Sequence, residues 1–209
     1  MNKMNFDTIA NQESLDKTVA ALKEANVTAI VVNSAQDAKA KVIELLPKDA
    51  EVMTMTSITL DETGIEKEIN ESANYDSVKK KLAGMNRETQ HREMQELGAA
   101  PVWAIGSIHA VTEDGKVIIA SNTGSQLPAY VYGSDHVIWV VGTQKIVKNL
   151  DDAMTRIYDY ILPLETKRAI KAYSLPDDFH SNVSKVVILN KEVNPQRITM
   201  VLVKEKLGF

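Results

Sequence analysis

The chain has 209 residues, of which 44% are hydrophobic, and its 24 basic and 28 acidic side chains give a formal net charge of −4. This composition is ordinary for a globular protein, and its single short basic cluster argues against nucleic acid as the main partner. The chain contains no cysteine, which excludes disulfides, thiolate catalysis and cysteine-ligated zinc or iron–sulfur clusters within this polypeptide. The first residues lack an apolar signal segment, and no apolar stretch approaches roughly 20 residues, so we expect a cytoplasmic protein without a membrane partner.

Helical and strand patterns alternate in the first part of the chain. Apolar spacing predicts a helix over residues 14–26, and the β-branched run at 27–32 predicts a buried strand. A second helix should begin after Ser34, which is a good cap, and end at Pro47. Residues 51–56 then form a second predicted strand.

The pattern continues to the end of the chain. The remaining predicted elements are a charged helical segment over 70–100, a strand over 102–108, a hairpin across Asp114-Gly115, a buried strand over 137–141, a helix over 151–161 ended by Pro163, and two strands joined by a turn at Asn194-Pro195. Strands that alternate with helices predict an α/β fold, with a mainly parallel sheet, helices on both faces and the hairpins as antiparallel additions. We predict a single domain over residues 1–209, with residues 1–26 as an N-terminal helical extension.

Two polar loops follow predicted strands, at the edge where open parallel sheets bind ligands. The first contains Thr56, Ser57 and Thr59, and it lacks the glycines and lysine of a Walker loop. The second contains Asn122, Thr123, Gly124, Ser125 and Gln126, and Gly124 would permit a positive φ. Each loop either holds an anionic ligand through hydroxyls, amides and backbone N–H groups, or only caps the following helix.

Two further side chains are candidates for catalysis. His109 follows a predicted strand, where it serves either as a general acid/base or as a structural histidine. Lys145 follows the strand at 137–141, where it either neutralises an acidic ligand, forms an imine if its pKa is lowered, or points into solvent. The other histidines lack metal-ligand spacing, so we predict no metal site. Whether Arg168, Lys171 or Arg197 reaches the same pocket is left open.

A family resemblance rests on the segment from Ala120 to Glu165, ASNTGSQLPAYVYGSDHVIWVVGTQKIVKNLDDAMTRIYDYILPLE. This segment resembles the lactate-utilisation (LUD) domain family, and the likeness extends upstream to AVTEDGKV and TSITLDETGI and downstream to RITMVLVKEKLGF. The family is similar to a superfamily that contains ribose-5-phosphate isomerase, glucosamine-6-phosphate deaminase and coenzyme A transferases. The resemblance therefore implies an isomerase/coenzyme A transferase-like fold.

A shorter likeness concerns Thr112-Glu113-Asp114-Gly115. It resembles the Ser-Glu-Asn-Gly signature of class I coenzyme A transferases, whose glutamate attacks a thioester. The interpretation that we favour is that Asp114-Gly115 forms a type I′ turn with Glu113 solvated beside it.

The LUD resemblance implies support of oxidative L-lactate utilisation beside partner proteins with iron–sulfur clusters, while this chain itself carries no cofactor. Our leading hypothesis is a protein that binds a small anionic metabolite in a cradle made by the two polar loops, with His109 and Lys145 as the catalytic candidates. One alternative is a stand-alone isomerase or acyl-coenzyme A transferase-like enzyme that acts on a sugar phosphate or an acyl thioester. Another is a non-catalytic assembly subunit. Turnover, ligand identity and homo-oligomer formation are left open.

Overall fold

The computed structural model describes residues 5–209, so residues 1–4 of the predicted extension lie outside the described part of the chain. In chain order the strands are β1 Thr28–Val32, β2 Glu51–Thr54, β3 Asp76–Ser77, β4 Trp103–Gly106, β5 Ala110–Thr112, β6 Val117–Ser121, β7 His136–Gly142, β8 Ile146–Val147, β9 Lys185–Leu189 and β10 Ile198–Val203. The α-helices are α1 Gln12–Glu24, α2 Ala35–Leu45, α3 Ile58–Glu62, α4 Ile65–Glu71, α5 Val78–Ala83, α6 His91–Ala99, α7 Leu150–Thr155 and α8 Leu162–Tyr173. Short π-helical segments at Ala129–Gly133 and Arg156–Ile161, and a 3₁₀ turn at Thr143–Lys145, complete the described elements.

The strands form two sheets. The larger sheet has the order β1-β10-β7-β4-β2-β3, and all of its strand pairs are parallel. The smaller sheet has the order β8-β5-β6-β9, with β6 antiparallel to both of its neighbours and β8 parallel to β5. This topology confirms the predicted α/β fold with a mainly parallel sheet.

Alternation along the central strands divides the core between the two faces of the larger sheet, because successive strand side chains point to opposite faces. Trp139 and Met200 belong to a buried cluster that includes α1 and one face of the smaller sheet. Val140 and Val201 point the other way, into a cluster with α2, α3 and α4. A third cluster packs the other face of the smaller sheet against α7 and the π-helical segment after it.

Several predicted helix ends are confirmed. Ser34 caps α2 in a capping box with Asp37, and Asn26 adopts a left-handed conformation (φ 59°) just beyond α1. The start of the first helix was predicted two residues late, since α1 begins at Gln12 and its cap is Asn11, whose side chain accepts from the Ser14 N–H. The predicted segment over 70–100 is two short helices, α5 and α6, with a non-helical stretch between them.

The predicted stop at Pro163 was wrong, because the chain stays helical from Leu150 to Tyr173. Proline lacks an N–H and its ring collides with the carbonyl four residues earlier in a regular α-helix. Here the turn before Pro163 is the π-helical segment Arg156–Ile161, which widens the backbone at that point. The proline is therefore accommodated rather than excluded.

The turn at Asn194-Pro195 was also misread as a hairpin. β9 lies in the smaller sheet beside β6, whereas β10 lies in the larger sheet between β1 and β7. The hairpin at Asp114 is confirmed, because β5 and β6 pair antiparallel. Its loop is not type I′, since Gly115 (φ 85°) alone has positive φ and the Gly115 N–H donates to the Thr112 carbonyl. In the described part of the chain, no helix has both the length and the apolar character required to cross a bilayer.

Candidate active site

A cavity of about 860 Å³ opens between the larger sheet, the smaller sheet and α8. Part of its lining comes from the segments that directly follow β2, β4 and β7, at the carboxyl edge of the larger sheet, and the rest comes from the loop after β6, from α8 and from residues 175–183 and 208–209. The carboxyl edge is the one at which open parallel sheets bind ligands. All of the site residues predicted from the sequence except Gly124 line this one cavity, in the set Thr56, Ser57, Thr59, His109, Asn122, Thr123, Ser125, Gln126 and Lys145.

Lys145 lies at the base of the cavity and is only 3% exposed. Its Nζ donates to Thr59 Oγ1 and to Ser107 Oγ, each at 3.0 Å, and no residue within 5–209 forms an ion pair with it. Burial, reinforced by the positive charge of Arg156 and opposed by Glu62, lowers the pKa of Lys145 to about 7. Near neutral pH the amine therefore exists in both its charged and its neutral form.

His109 lines the same cavity in a largely apolar setting. Its Nδ1 accepts a hydrogen bond from the Ala120 N–H at 3.2 Å, which assigns the proton of the neutral ring to Nε2. Burial, with the nearby charges of Lys145 and Arg156, lowers the pKa of His109 to about 3. At neutral pH His109 is thus an uncharged hydrogen-bond donor rather than a cation.

Arg156 is fully buried behind the cavity wall, on the π-helical segment. Its guanidinium lies 5.1 Å from the ring centroid of Tyr160 and 5.8 Å from that of Phe6. Among residues 5–209, none of its nitrogens has a hydrogen-bond partner. Its charge therefore acts on the site through space, as the lowered pKa values of Lys145 and His109 show.

The first polar loop contributes side chains at different depths. Thr56 is exposed at the rim, whereas Thr59 is buried and its Oγ1 donates to the Leu207 carbonyl at 3.2 Å while accepting from Lys145. Ser57 is the N-cap residue of α3, but its side chain makes no capping hydrogen bond. The Ser57 hydroxyl lines the cavity and is therefore available to a ligand.

The second polar loop lies at the rim, and much of its hydrogen-bonding capacity is used within the loop. Gly124 has the positive φ (88°) that its residue type allows, and its N–H donates to Ser121 Oγ at 2.8 Å. The Ser125 N–H donates to Thr123 Oγ1, and Gln126 bonds to Ser121 and to the Ala120 carbonyl. The backbone N–H groups of Gly124 and Ser125 are therefore already used, and the loop would contact a ligand mainly through its hydroxyl and amide side chains.

The other cations differ in position. Arg168 lines the cavity but holds Glu165 through two hydrogen bonds of 2.7 Å, which raise its pKa. Arg197 is buried elsewhere and donates to the carbonyl groups of Ser134 and Ala129. Lys171 is not part of the cavity lining. Lys145 is thus a cavity-lining cation without a carboxylate partner among residues 5–209.

Glu113 also lies outside the cavity lining. Its carboxylate accepts a hydrogen bond from Ser14 Oγ and lies 4.0 Å from the Lys17 ammonium, both on α1. A transferase glutamate must reach a bound thioester, and this carboxylate instead fastens the hairpin to the first helix. The Glu113 side chain is only 23% exposed, so the expectation that it is freely solvated is corrected.

Sequence reasoning passed over three residues that shape the site. Ser107 holds Lys145, and the sequence offers a signal for it because it lies two residues before His109. Tyr130 lines the cavity with its buried hydroxyl. Arg156 interrupts the buried stripe of Ala153, Ile157 and Ile161 on its helix, and a lone arginine among such residues is a detectable signal.

These features define a class of protein, namely an α/β protein with a ligand-sized cavity at the carboxyl ends of a parallel sheet and, at its base, a buried lysine that has no ion-pair partner in the described part of the chain. A profile of the LUD domain matches residues 15–203, and the chain belongs to that family. The crystal structure of a DUF162 family protein from Deinococcus radiodurans is similar, with a TM-score of 0.57 and 12% sequence identity over 94% of this chain and 99% of that one. At this identity the likeness concerns the fold. A comparison with curated proteins gives no match.

Proposed function

We propose that this LUD-domain protein binds a small carboxylate in the cavity and supports the oxidative use of L-lactate together with partner proteins. The observation that carries the proposal is Lys145, a buried lysine that lines a cavity and has no carboxylate partner among residues 5–209. A buried charge without a partner is costly, and an anionic ligand would lower that cost.

The rest of the cavity suits a small anion with an apolar body. The hydroxyls of Ser57 and Ser107 and the neutral imidazole of His109 are hydrogen-bonding groups for ligand oxygens. Ile108 and Ile157 supply apolar walls. The lining also contains the carboxylates Asp61, Glu62, Glu66 and Glu165, of which Glu66 pairs with Lys79 and Glu165 pairs with Arg168.

The family link to lactate supports L-lactate and pyruvate as the first ligands to test. Because this chain contains no cysteine, iron–sulfur chemistry would reside in partner proteins. The position of Glu113 outside the cavity lining gives no support to thioester chemistry.

The first prediction concerns ligand binding by Lys145. At about 100 times its dissociation constant a ligand should stabilise the protein by roughly 2.7 kcal/mol, or about 5–10 °C in a thermal-shift assay. Lys145→Met should weaken binding at least tenfold, because a hydrogen bond to a charged group contributes about 1.5–3 kcal/mol. L-lactate, pyruvate, phosphosugars, nucleotides and acyl-coenzyme A thioesters form the ligand panel.

The matched control is Lys148→Met, which removes an exposed lysine three positions away that is absent from the cavity lining. It should leave the thermal shift unchanged. Equal shifts in wild type and Lys145→Met would contradict a ligand site at Lys145. No shift from any ligand in the panel would count against the proposed function and direct attention to protein partners.

A second prediction separates the rim from the base of the cavity. Asn122 and Ser125 are exposed, so their neutral hydrogen bonds to a ligand should each contribute only about 0.5–1.5 kcal/mol. Asn122→Ala and Ser125→Ala should therefore weaken binding less than Lys145→Met does, while the melting temperature of the free protein stays unchanged. Isothermal titration of the three variants tests this order, and a larger loss from either rim variant would place the anion at the second loop.

A further inference from the structure

We propose that Lys145 is a nucleophile that forms an imine with the carbonyl carbon of a small 2-oxo acid bound in the cavity. This inference rests on the proposed function, because it requires that the cavity hold such a carboxylate. It goes further by assigning covalent chemistry to one atom, Lys145 Nζ, and by requiring a carbonyl group in the ligand.

The hydrogen bonds of Lys145 leave one position on Nζ without a partner among residues 5–209. An ammonium group has three N–H donors and a neutral amine has two. Lys145 Nζ has two hydrogen-bond partners among residues 5–209, the hydroxyl oxygens of Thr59 and Ser107. The remaining position, which is a third N–H in the ammonium form and the lone pair in the neutral amine, is left for a ligand in the cavity.

The partner oxygens are themselves held in place. Thr59 Oγ1 uses its own hydrogen on the Leu207 carbonyl, so a lone pair of this oxygen faces Lys145. Ser107 follows β4 directly, and the backbone of this segment is fixed by packing against buried Tyr130. The amine is therefore held by two hydroxyl acceptors, of which Thr59 Oγ1 is itself fixed by a hydrogen bond to the Leu207 carbonyl.

The electrostatic surroundings of Lys145 favour its neutral amine form. Arg156 and His109 face Lys145 from the π-helical segment and from the β4–β5 connection, and Glu62 faces it from α3. Burial and the positive charge of Arg156 outweigh the acidic residue and lower the pKa of the amine to about 7. A substantial fraction of the lysine is therefore nucleophilic at neutral pH.

The step balances without a redox partner. The neutral Nζ attacks the carbonyl carbon, a C–N bond forms as the C–O π bond breaks, and one proton moves from the nitrogen to the oxygen, which gives a neutral carbinolamine. Loss of the nitrogen proton and departure of the oxygen as water then give the imine. The net change is amine plus ketone to imine plus water. The neutral Nε2–H of His109, which lines the same cavity, can donate a hydrogen bond that polarises the ligand carbonyl while the ring keeps its proton.

The test is reductive trapping of the whole protein with pyruvate and sodium borohydride. Intact-mass and peptide mass spectrometry should show one reduced pyruvyl group per chain, on Lys145. L-lactate has the same carboxylate but no carbonyl, so it should give no adduct. Lys148→Met should be modified like the wild type, whereas Lys145→Met and Lys145→Arg should lose the adduct.

Thermal shifts measured on the same samples separate the two proposals. A thermal shift with pyruvate but no adduct on Lys145, at pH values on both sides of neutrality, would overturn the imine and leave carboxylate binding standing. Absence of both shift and adduct would overturn both proposals. Adducts spread equally over exposed lysines would also overturn the assignment, because they would show no selectivity for the cavity.

Discussion

Between about pH 7 and pH 10.5, the free energy of unfolding of wild type should increase by roughly 3–5 kcal/mol more than that of Lys145→Met. The folded-state pKa of Lys145 is lowered from its ordinary value of 10.5 to about 7. Between these values the unfolded chain binds a proton at this lysine that the folded protein does not bind. The stability of the folded protein therefore increases with pH across this window. Below the window the lysine is charged in both states, and the full cost of burying that charge destabilises the folded protein.

Urea denaturation of wild type and Lys145→Met at several pH values measures this difference directly. Titrations shared by the two proteins cancel when one curve is subtracted from the other, so the remainder reports Lys145 together with its interactions with Arg156, Glu62 and His109. Lys148→Met serves as the control and should run parallel to wild type, because that lysine is exposed. Parallel curves for Lys145→Met would show that Lys145 is not destabilised by burial.

The fold was largely predictable because it depends on local and periodic signals. The continuous apolar runs of β4 and β7 predict central strands, and the polar loops that follow strands lie beside the cavity. The Ser34 cap depends on nearby residues and is confirmed, whereas the cap of α1 is Asn11 and lies before the predicted helix start. The family resemblance supplied the wider assignment to the LUD domain, which the profile match bears out.

The errors arose where distant contacts override local signals. Pro163 is a helix breaker by its own chemistry, and the π-helical turn that accommodates it packs against the smaller sheet. Asn194-Pro195 has the residue types of a hairpin turn, but β9 pairs in the smaller sheet and β10 pairs in the larger sheet. Tertiary context decides both cases, and no window of sequence contains it.

Sequence reasoning predicted residues that line one cavity, but it did not predict their electrostatics. His109 is a general acid/base candidate by residue type, yet burial and two neighbouring cations make it a neutral donor. Arg156, which contributes to this effect, lies 47 residues further along the chain and was assigned to an ordinary amphipathic helix. Such coupling depends on distances through space, which residue spacing does not encode.

Gly106→Ala should destabilise the protein by about 2–3 kcal/mol or more, because the core at this point has no room for a methyl group. A Cβ on Gly106 would lie 1.7 Å from the Tyr130 hydroxyl oxygen and 3.2 Å from Met55 Cβ. Gly106 ends β4 and directly precedes Ser107, which holds Lys145. The substitution should therefore also weaken ligand binding, and denaturation and titration of one sample measure both effects.

Two further variants test whether contact with the Tyr130 hydroxyl causes the destabilisation expected for Gly106→Ala. Tyr130→Phe removes the oxygen with the closest contact, so Gly106→Ala should cost less free energy in that background than in wild type, which a double-mutant cycle detects. Gly98→Ala is the matched control, because its Cβ would meet only Leu82 Cδ1, at 3.9 Å, on helix α6. A helix favours alanine over glycine, so that variant should be neutral or slightly more stable. If Gly106→Ala were as mild as Gly98→Ala, the Tyr130 hydroxyl would not occupy the position that closes this wall of the cavity.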